Sequence, residues 1–204
     1  STDETFRSLT NNGFINQNLM RDDYEYYSQI KIDVKNSYSI MITYIRLFEN
    51  TGSSGGQYEG IINAAKDGYD WVWLMDDDVE PQISALENMI TSFNINNRQE
   101  IACIVPKRIY ENGDIVIGHE KILVNKYFSK TIFREPDNEF IERMTLEGPL
   151  VRVDEAVKAS YDLSKYFILY DDVDLAYKLS RGNKILFDKS AVMIKKIRIP
   201  LSLY

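Results

Sequence analysis

The run Trp71-Val72-Trp73-Leu74-Met75-Asp76-Asp77-Asp78 constrains this chain more than any other stretch. Large apolar residues lead straight into three carboxylates, with no turn residue between them. An apolar run of this kind predicts a strand buried on both faces, as in a parallel sheet. In open α/β sheets, ligands bind beyond the carboxyl ends of the strands. Asp76, Asp77 and Asp78 are therefore expected where such a sheet presents its site. In an extended chain, Asp76 and Asp78 point to one side and Asp77 to the other. Two carboxylates so spaced can hold a hard divalent cation, which can bridge the phosphates of a nucleotide. A solvated acidic turn is the competing reading, and for an isolated Asp-Asp-Asp it would be favoured.

The bulk properties narrow the classes. A chain of 204 residues suits one domain with a real core. The net charge of -7 argues against nucleic-acid binding, which needs a basic face. Lys184, Lys189, Lys195, Lys196 and Arg198 form a local basic cluster, either a solvated tail or a contact for an anionic membrane surface. The single cysteine, Cys103, lies in an apolar run and is expected in the core. No apolar stretch reaches the roughly 18 residues that a membrane-spanning helix requires. The single histidine, His119, leaves little room for a His-based metal cage or a Ser-His-Asp triad.

Along the chain, Thr5 to Leu9 predicts the start of a helix, with Ser1, Thr2 or Asp3 as caps. Some helix is expected near Gln17 to Ser28. Ser39 to Leu47 predicts a strand. Asn50 to Gly56 predicts a glycine loop, and Gln57 to Lys66 a helix stopped near Gly68. Tyr69 to Met75 is the strand before the acids. Pro81 is expected to open a helix running to Phe93, and Pro106 to close a strand that begins at Ile101. Asn112-Gly113-Asp114 predicts a turn. Asp154 to Ala159 and Asp171 to Arg181 predict helices, the latter ended by Gly182. Ile185 to Phe187 and Ala191 to Ile194 predict short strands. This alternation implies an α/β sheet flanked by helices. Trp71 and Trp73 alternate on their strand and are expected in the core.

Two further constellations bear on chemistry. Glycines in Asn50-Thr51-Gly52-Ser53-Ser54-Gly55-Gly56 allow positive φ and close approach of a ligand, and amides at the next helix start favour an anion. The spacing fits neither a dinucleotide fingerprint nor a P-loop. Tyr170-Asp171-Asp172-Val173-Asp174 sets three acids at a helix start. The helix dipole accounts for Asp171 and Asp174, but the cluster exceeds what capping needs. A carboxylate beside Tyr166, Phe167 and Tyr170 can act as a general base.

Taken in order, these motifs resemble the inverting family 2 glycosyltransferases of the GT-A fold. The set is Ser1-Thr-Asp-x-Thr5, Asn50-x-Gly-x-x-Gly-Gly56, Asp70 to Asp78 with Pro81, Gly148-Pro-Leu150, and Tyr166-Phe-x-x-Tyr-Asp-Asp-Val-Asp-Leu-Ala-x-x-Leu179 with Gly182. The similarity is greatest to the bacterial rhamnosyltransferase and galactofuranosyltransferase branch.

The resemblance implies a mixed, mainly parallel sheet flanked by helices. It also implies a single GT-A-like domain over 1–204, with 1–106 binding a nucleotide-sugar and 107–204 an acceptor. Asp76 and Asp78 would hold Mg²⁺ or Mn²⁺ on a UDP- or dTDP-linked donor, with Asp77 nearer the sugar or ribose. Asn50, Gly52, Gly55 and Gly56 would lie along the donor. Asp172 would be the catalytic base, and Asp171 would bind acceptor or orient that base. The acceptor would be a glycan or lipid-linked sugar of a bacterial surface polysaccharide, made in the cytoplasm at the inner face of the membrane. The first strands of the family fold would precede residue 1. Lys195 stands where many relatives carry a metal-binding histidine. A lysine there leaves the site short of a ligand, unless the alignment shifts or the partner lies beyond residue 204. An inactive GT-A-like binding remnant and a sugar nucleotidyltransferase are the alternatives.

Overall fold

A computed structural model describes residues 4–15, 22–34, 38–96, 98–116, 122–123, 133–134, 136–137, 139–160 and 165–197. The chain forms two compact units, Ser1–Thr51 and Gly52–Tyr204.

In the first unit, helix α1 (Thr5–Asn11) precedes an antiparallel pair of strands, β1 (Tyr26–Val34) and β2 (Tyr38–Arg46). Expected caps Ser1 to Asp3 lie outside the described residues. Tyr26 to Ser28, expected as helix, belong to β1 instead. The alternation Gln29-Ile30-Lys31-Ile32-Asp33 is the period-2 signal that decides this. It sets Ile30 against Ile42 and Ile32 against Ile40 across the pair. Phe6 of α1 packs edge-on against Tyr26, with ring centroids 4.9 Å apart.

The second unit carries α2 (Gly52–Lys66), β3 (Trp71–Trp73), β4 (Val79–Pro81), α3 (Ala85–Ile95), a 3₁₀ turn (Arg98–Glu100) and β5 (Ile101–Tyr110). Short strands β6 (Ile122–Leu123), β7 (Phe133–Arg134), β8 (Phe140–Ile141) and β9 (Leu150–Arg152) follow. Helices α4 (Val153–Ser160) and α5 (Asp171–Ser180) and strand β10 (Lys184–Lys195) complete it. The main sheet runs β3-β9-β5-β10-β4, with β8 also paired to β10.

This is a mixed α/β sheet flanked by helices, but its parallel share is smaller than expected. Among the described residues only β5 and β10 run parallel, in the longest pairing of the sheet; β9 lies antiparallel between β3 and β5. An apolar run reports burial, not direction, so the strand pattern could not reveal this. Nor is β3 buried on both faces: its three residues are half-buried, and β9 is its one partner among the described residues.

Side chains alternate across the sheet as the pleat requires. Val72, Leu74, Cys103, Val105, Val151, Ile185 and Phe187 face one core layer, with Ile61 of α2, Ala156 of α4 and Leu175 and Leu179 of α5. Trp71, Trp73, Ile104, Leu150 and Leu186 face the other, with Met89 and Phe93 of α3. Cys103 is a free, buried thiol as expected, and burial pushes its pKa well above the ordinary range.

The two prolines behave differently from their expected roles. Pro81 ends β4 rather than opening a helix. A strand at the end of the sheet tolerates a residue with no N–H to give. Pro106 lies inside β5, opposite Asp188, where β10 slips register between Asp188 and Val192. A bulge opposite a non-donating residue costs little pairing. Asp188 fills the gap by accepting hydrogen bonds from the Ser190 N–H at 2.8 Å and the Ser92 hydroxyl at 2.7 Å. The two short strands expected near the C-terminus are thus one strand with an irregularity.

Candidate active site

The acids follow β3 directly. Leu74 still pairs like a strand residue: its N–H donates to the Pro149 carbonyl, and its carbonyl accepts from the Gly148 N–H, both at 3.0 Å. The Trp73 indole N–H donates to the Gly148 carbonyl at 2.8 Å. These bonds bring the segment before β9 alongside the end of β3, and with it Glu147. Gly148 sits at φ +108°, and a Cβ there would stand 2.7 Å from Met193 Cγ. Only glycine fits this close approach.

Asp76, Asp78 and Glu147 converge, each half-buried, with ligand-capable oxygens within 4.8 Å of one another. Asp77 is exposed at the turn into β4. The Asp76 carboxyl is pushed up to about 6, first by burial and then by the Glu147 and Asp78 carboxylates. Lys195 and a hydrogen bond from Gln57 offset this only in part. Gln57 also donates to the Met75 carbonyl at 3.2 Å, so α2 braces the end of the strand.

Two buried cations answer the acids. Lys195, at the end of β10, hydrogen-bonds Glu147 Oε1 and stands 3.3 Å from Asp78 Oδ2. Arg108 of β5 pairs with Glu147 Oε2. Burial raises the Glu147 carboxyl, but Arg108 and Lys195 together outweigh it and hold the group below its usual range. Burial likewise works against the Lys195 ammonium, yet Glu147 and Asp78 hold its pKa above the ordinary lysine value. Hard oxygen donors at Asp76, which forms no ion pair among the described residues, and at Asp78, which Lys195 only partly engages, fit a divalent cation. Glu147 already has a cation on each oxygen.

Sequence reasoning singled out Asp76, Asp78 and Lys195 but missed Glu147, Arg108 and Gln57. The signal for Glu147 was its place directly before Gly148-Pro149. For Arg108 it was a charged pair, Lys107-Arg108, in an otherwise largely apolar strand.

The glycine segment differs from expectation. Gly52 to Gly56 are the first turns of α2, not a loop. Gly52 has φ +72°, and a Cβ built on it would lie 1.8 Å from the Phe167 carbonyl oxygen. Packing on that carbonyl therefore requires a glycine at this position. Gly55 is buried and Gly56 exposed. Asn50, exposed, belongs to the first unit.

Beyond Phe167, Leu169 and Tyr170 take φ of 74° and 67°, the left-handed region that non-glycine residues avoid. This turn opens α5 on its three acids. Asp171 is buried, and its Oδ2 has no hydrogen-bond partner among the described residues. Asp172 is half-buried and accepts from the Val173 N–H at 2.7 Å. Asp174 pairs with Lys178 at 2.5 Å, a structural i,i+4 contact. Asp171 and Asp172 are not members of the cluster around Asp76. A cavity of about 880 Å³ opens at the start of β3, beside Asp70, Trp71 and Arg152, and does not include the acids. His119 lies outside the described residues.

A sequence profile described as Glycosyl transferase family 2 matches residues 4–149. The chain belongs to glycosyl transferase family 2. A solved structure of GalNAc-T7 with UDP, GalNAc and Mn²⁺ is similar in fold, with TM-score 0.50 and 15% identity over 76% of this chain. The match spans 32% of that protein, so this chain corresponds to about a third of its length. At such identity the likeness concerns the GT-A fold alone. No curated protein sequence matches the chain significantly.

Of the expected basic cluster, Lys184 pairs with Glu100, Lys189 with Asp137, and Lys196 with Glu80 and Glu111. Among the described residues, no helix is long and apolar enough to cross a membrane.

Proposed function

We propose that this family 2 chain is an inverting glycosyltransferase that moves a sugar from a UDP- or dTDP-linked donor to a glycan or lipid-linked acceptor of a bacterial surface polysaccharide. The observation that carries the reading is the convergence of Asp76, Asp78 and Glu147 beyond β3. Asp76 and Asp78 are the residues that would hold Mg²⁺ or Mn²⁺. Such an ion, when bound, offsets the negative charge that gathers on a departing nucleoside diphosphate. Asp77, exposed beside them, reaches toward sugar or ribose. Gly52, Gly55 and Gly56 lie along the donor, with Gly52 also packed on the Phe167 carbonyl. Asp172 takes the proton of the acceptor hydroxyl as that oxygen attacks the anomeric carbon. Asp171, with a buried oxygen free to accept, holds the acceptor or the base in place.

The test is a transfer assay with a panel of nucleotide-sugars and Mn²⁺. Release of nucleoside diphosphate is expected; release of pyrophosphate would mark a nucleotidyltransferase instead. Asp172→Asn should lower transfer by about 10²-fold or more while donor affinity stays within about twofold. Retained turnover in that variant removes Asp172 as the base.

A further inference from the structure

Lys195 is only 4% exposed, yet it carries a full charge into the second unit. Its ammonium lies between Glu147 Oε1 and Asp78 Oδ2, the latter at 3.3 Å. Glu147 is fully engaged, because Arg108 takes its other oxygen. Asp78 is partly engaged. Asp76 forms no ion pair among the described residues and accepts from Gln57. Lys196, the next residue, points elsewhere and pairs with Glu80 and Glu111. The chain has therefore placed one particular lysine inside the acid cluster, at the cost of burying its charge.

We propose that Lys195 is a tethered counter-ion of the acidic site, filling by charge and position part of the place a divalent ion would take and so keeping the ion's intrinsic affinity low. The proposal rests on the reading of Asp76 and Asp78 as ligands of that ion. A divalent ion held by Asp76 and Asp78 would share the Asp78 carboxylate with the Lys195 ammonium, which stands 3.3 Å from its Oδ2. At roughly 5 Å, even the dielectric of water makes that repulsion worth about tenfold in affinity, and a drier site more.

The experiment titrates Mn²⁺ alone into the full chain and reads free ion by paramagnetic resonance. Lys195→Met and Lys195→Gln should both bind Mn²⁺ at least about tenfold more tightly than the wild type. Lys195→Gln keeps a hydrogen-bond donor for Glu147, so it carries the test if Lys195→Met does not fold. Lys196→Met should leave the affinity unchanged. Equal affinity in wild type and Lys195 variants overturns the counter-ion role alone. Equal tightening by Lys196→Met overturns it as well, since the effect would be general charge. If no form binds Mn²⁺, both the counter-ion and the metal reading of Asp76 and Asp78 fall.

Discussion

Asp76 is held at a cost that has a sign. Its carboxyl titrates at about 6 in the folded chain against 3.8 for the ordinary group. Between those values the folded state binds more protons than the unfolded one, so stability falls as pH rises from about 4 to about 6. Above that window the ionised carboxylate stays and the cost persists. Asp76→Asn should therefore melt higher than the wild type at pH 7.5 without divalent ions. The expected gain is about 1–2 kcal/mol, or a few degrees in Tm. The two proteins should converge near pH 3.5. Calorimetry across pH 3.5 to 7.5 checks this, and a variant less stable at pH 7.5 would contradict the account of Asp76. Stability given up at a site is the usual mark of one kept for binding. At this scale the sequence was informative about Asp76 and Asp78, whose spacing sets their sides. It was silent on Glu147, which arrives from 71 positions away in sequence through hydrogen bonds at Leu74 and Trp73. Pairings of that range leave no local periodicity to read.

Elements were legible where one pattern dominated. β2 and α5 fall within about one residue of their expected bounds, and the Asn112-Gly113-Asp114 turn closes with Gly113 at φ +87°. Misreadings gathered at residues whose meaning depends on a neighbour. Pro81 and Pro106 looked like boundaries, but an edge position and a facing bulge accommodate them. Gly52, Gly55 and Gly56 looked like a loop because glycine is a poor helix former. Tertiary packing overrides that weak preference, with Ser54 and Gly55 buried in the first turn of α2. Gly52→Ala tests the packing. An added Cβ must displace the Phe167 backbone and also strain φ, so a loss of about 2 kcal/mol or more is expected. Its cost in transfer should exceed that of Gly56→Ala, where a Cβ meets nothing within 4 Å. Denaturant midpoints and turnover measured side by side on the two variants decide it.

Across the second unit, rigidity is centred on one strand pair. Ile101 to Val105 are at most 1% exposed, and β10 pairs with β5, β4 and β8. Amide exchange should be slowest in β5 and β10, by about 10²-fold or more relative to the first turn of α5, which follows the exposed residues Phe167 to Tyr170. Exchange as fast in β5 as in Asp171 to Asp174 would refute this ordering. The α/β class was readable at this scale from alternating apolar strands and amphipathic helices. Strand direction was not, because antiparallel β9 and parallel β10 bury the same kinds of residue. The contact between Gly52 and Phe167 joins these scales. Backbone meets backbone there, with no side chain between them to yield. The first turn of α2 and the strained step into α5 therefore behave as a single mechanical joint, and a sideways shift of one by even a few tenths of an ångström must be answered by the other.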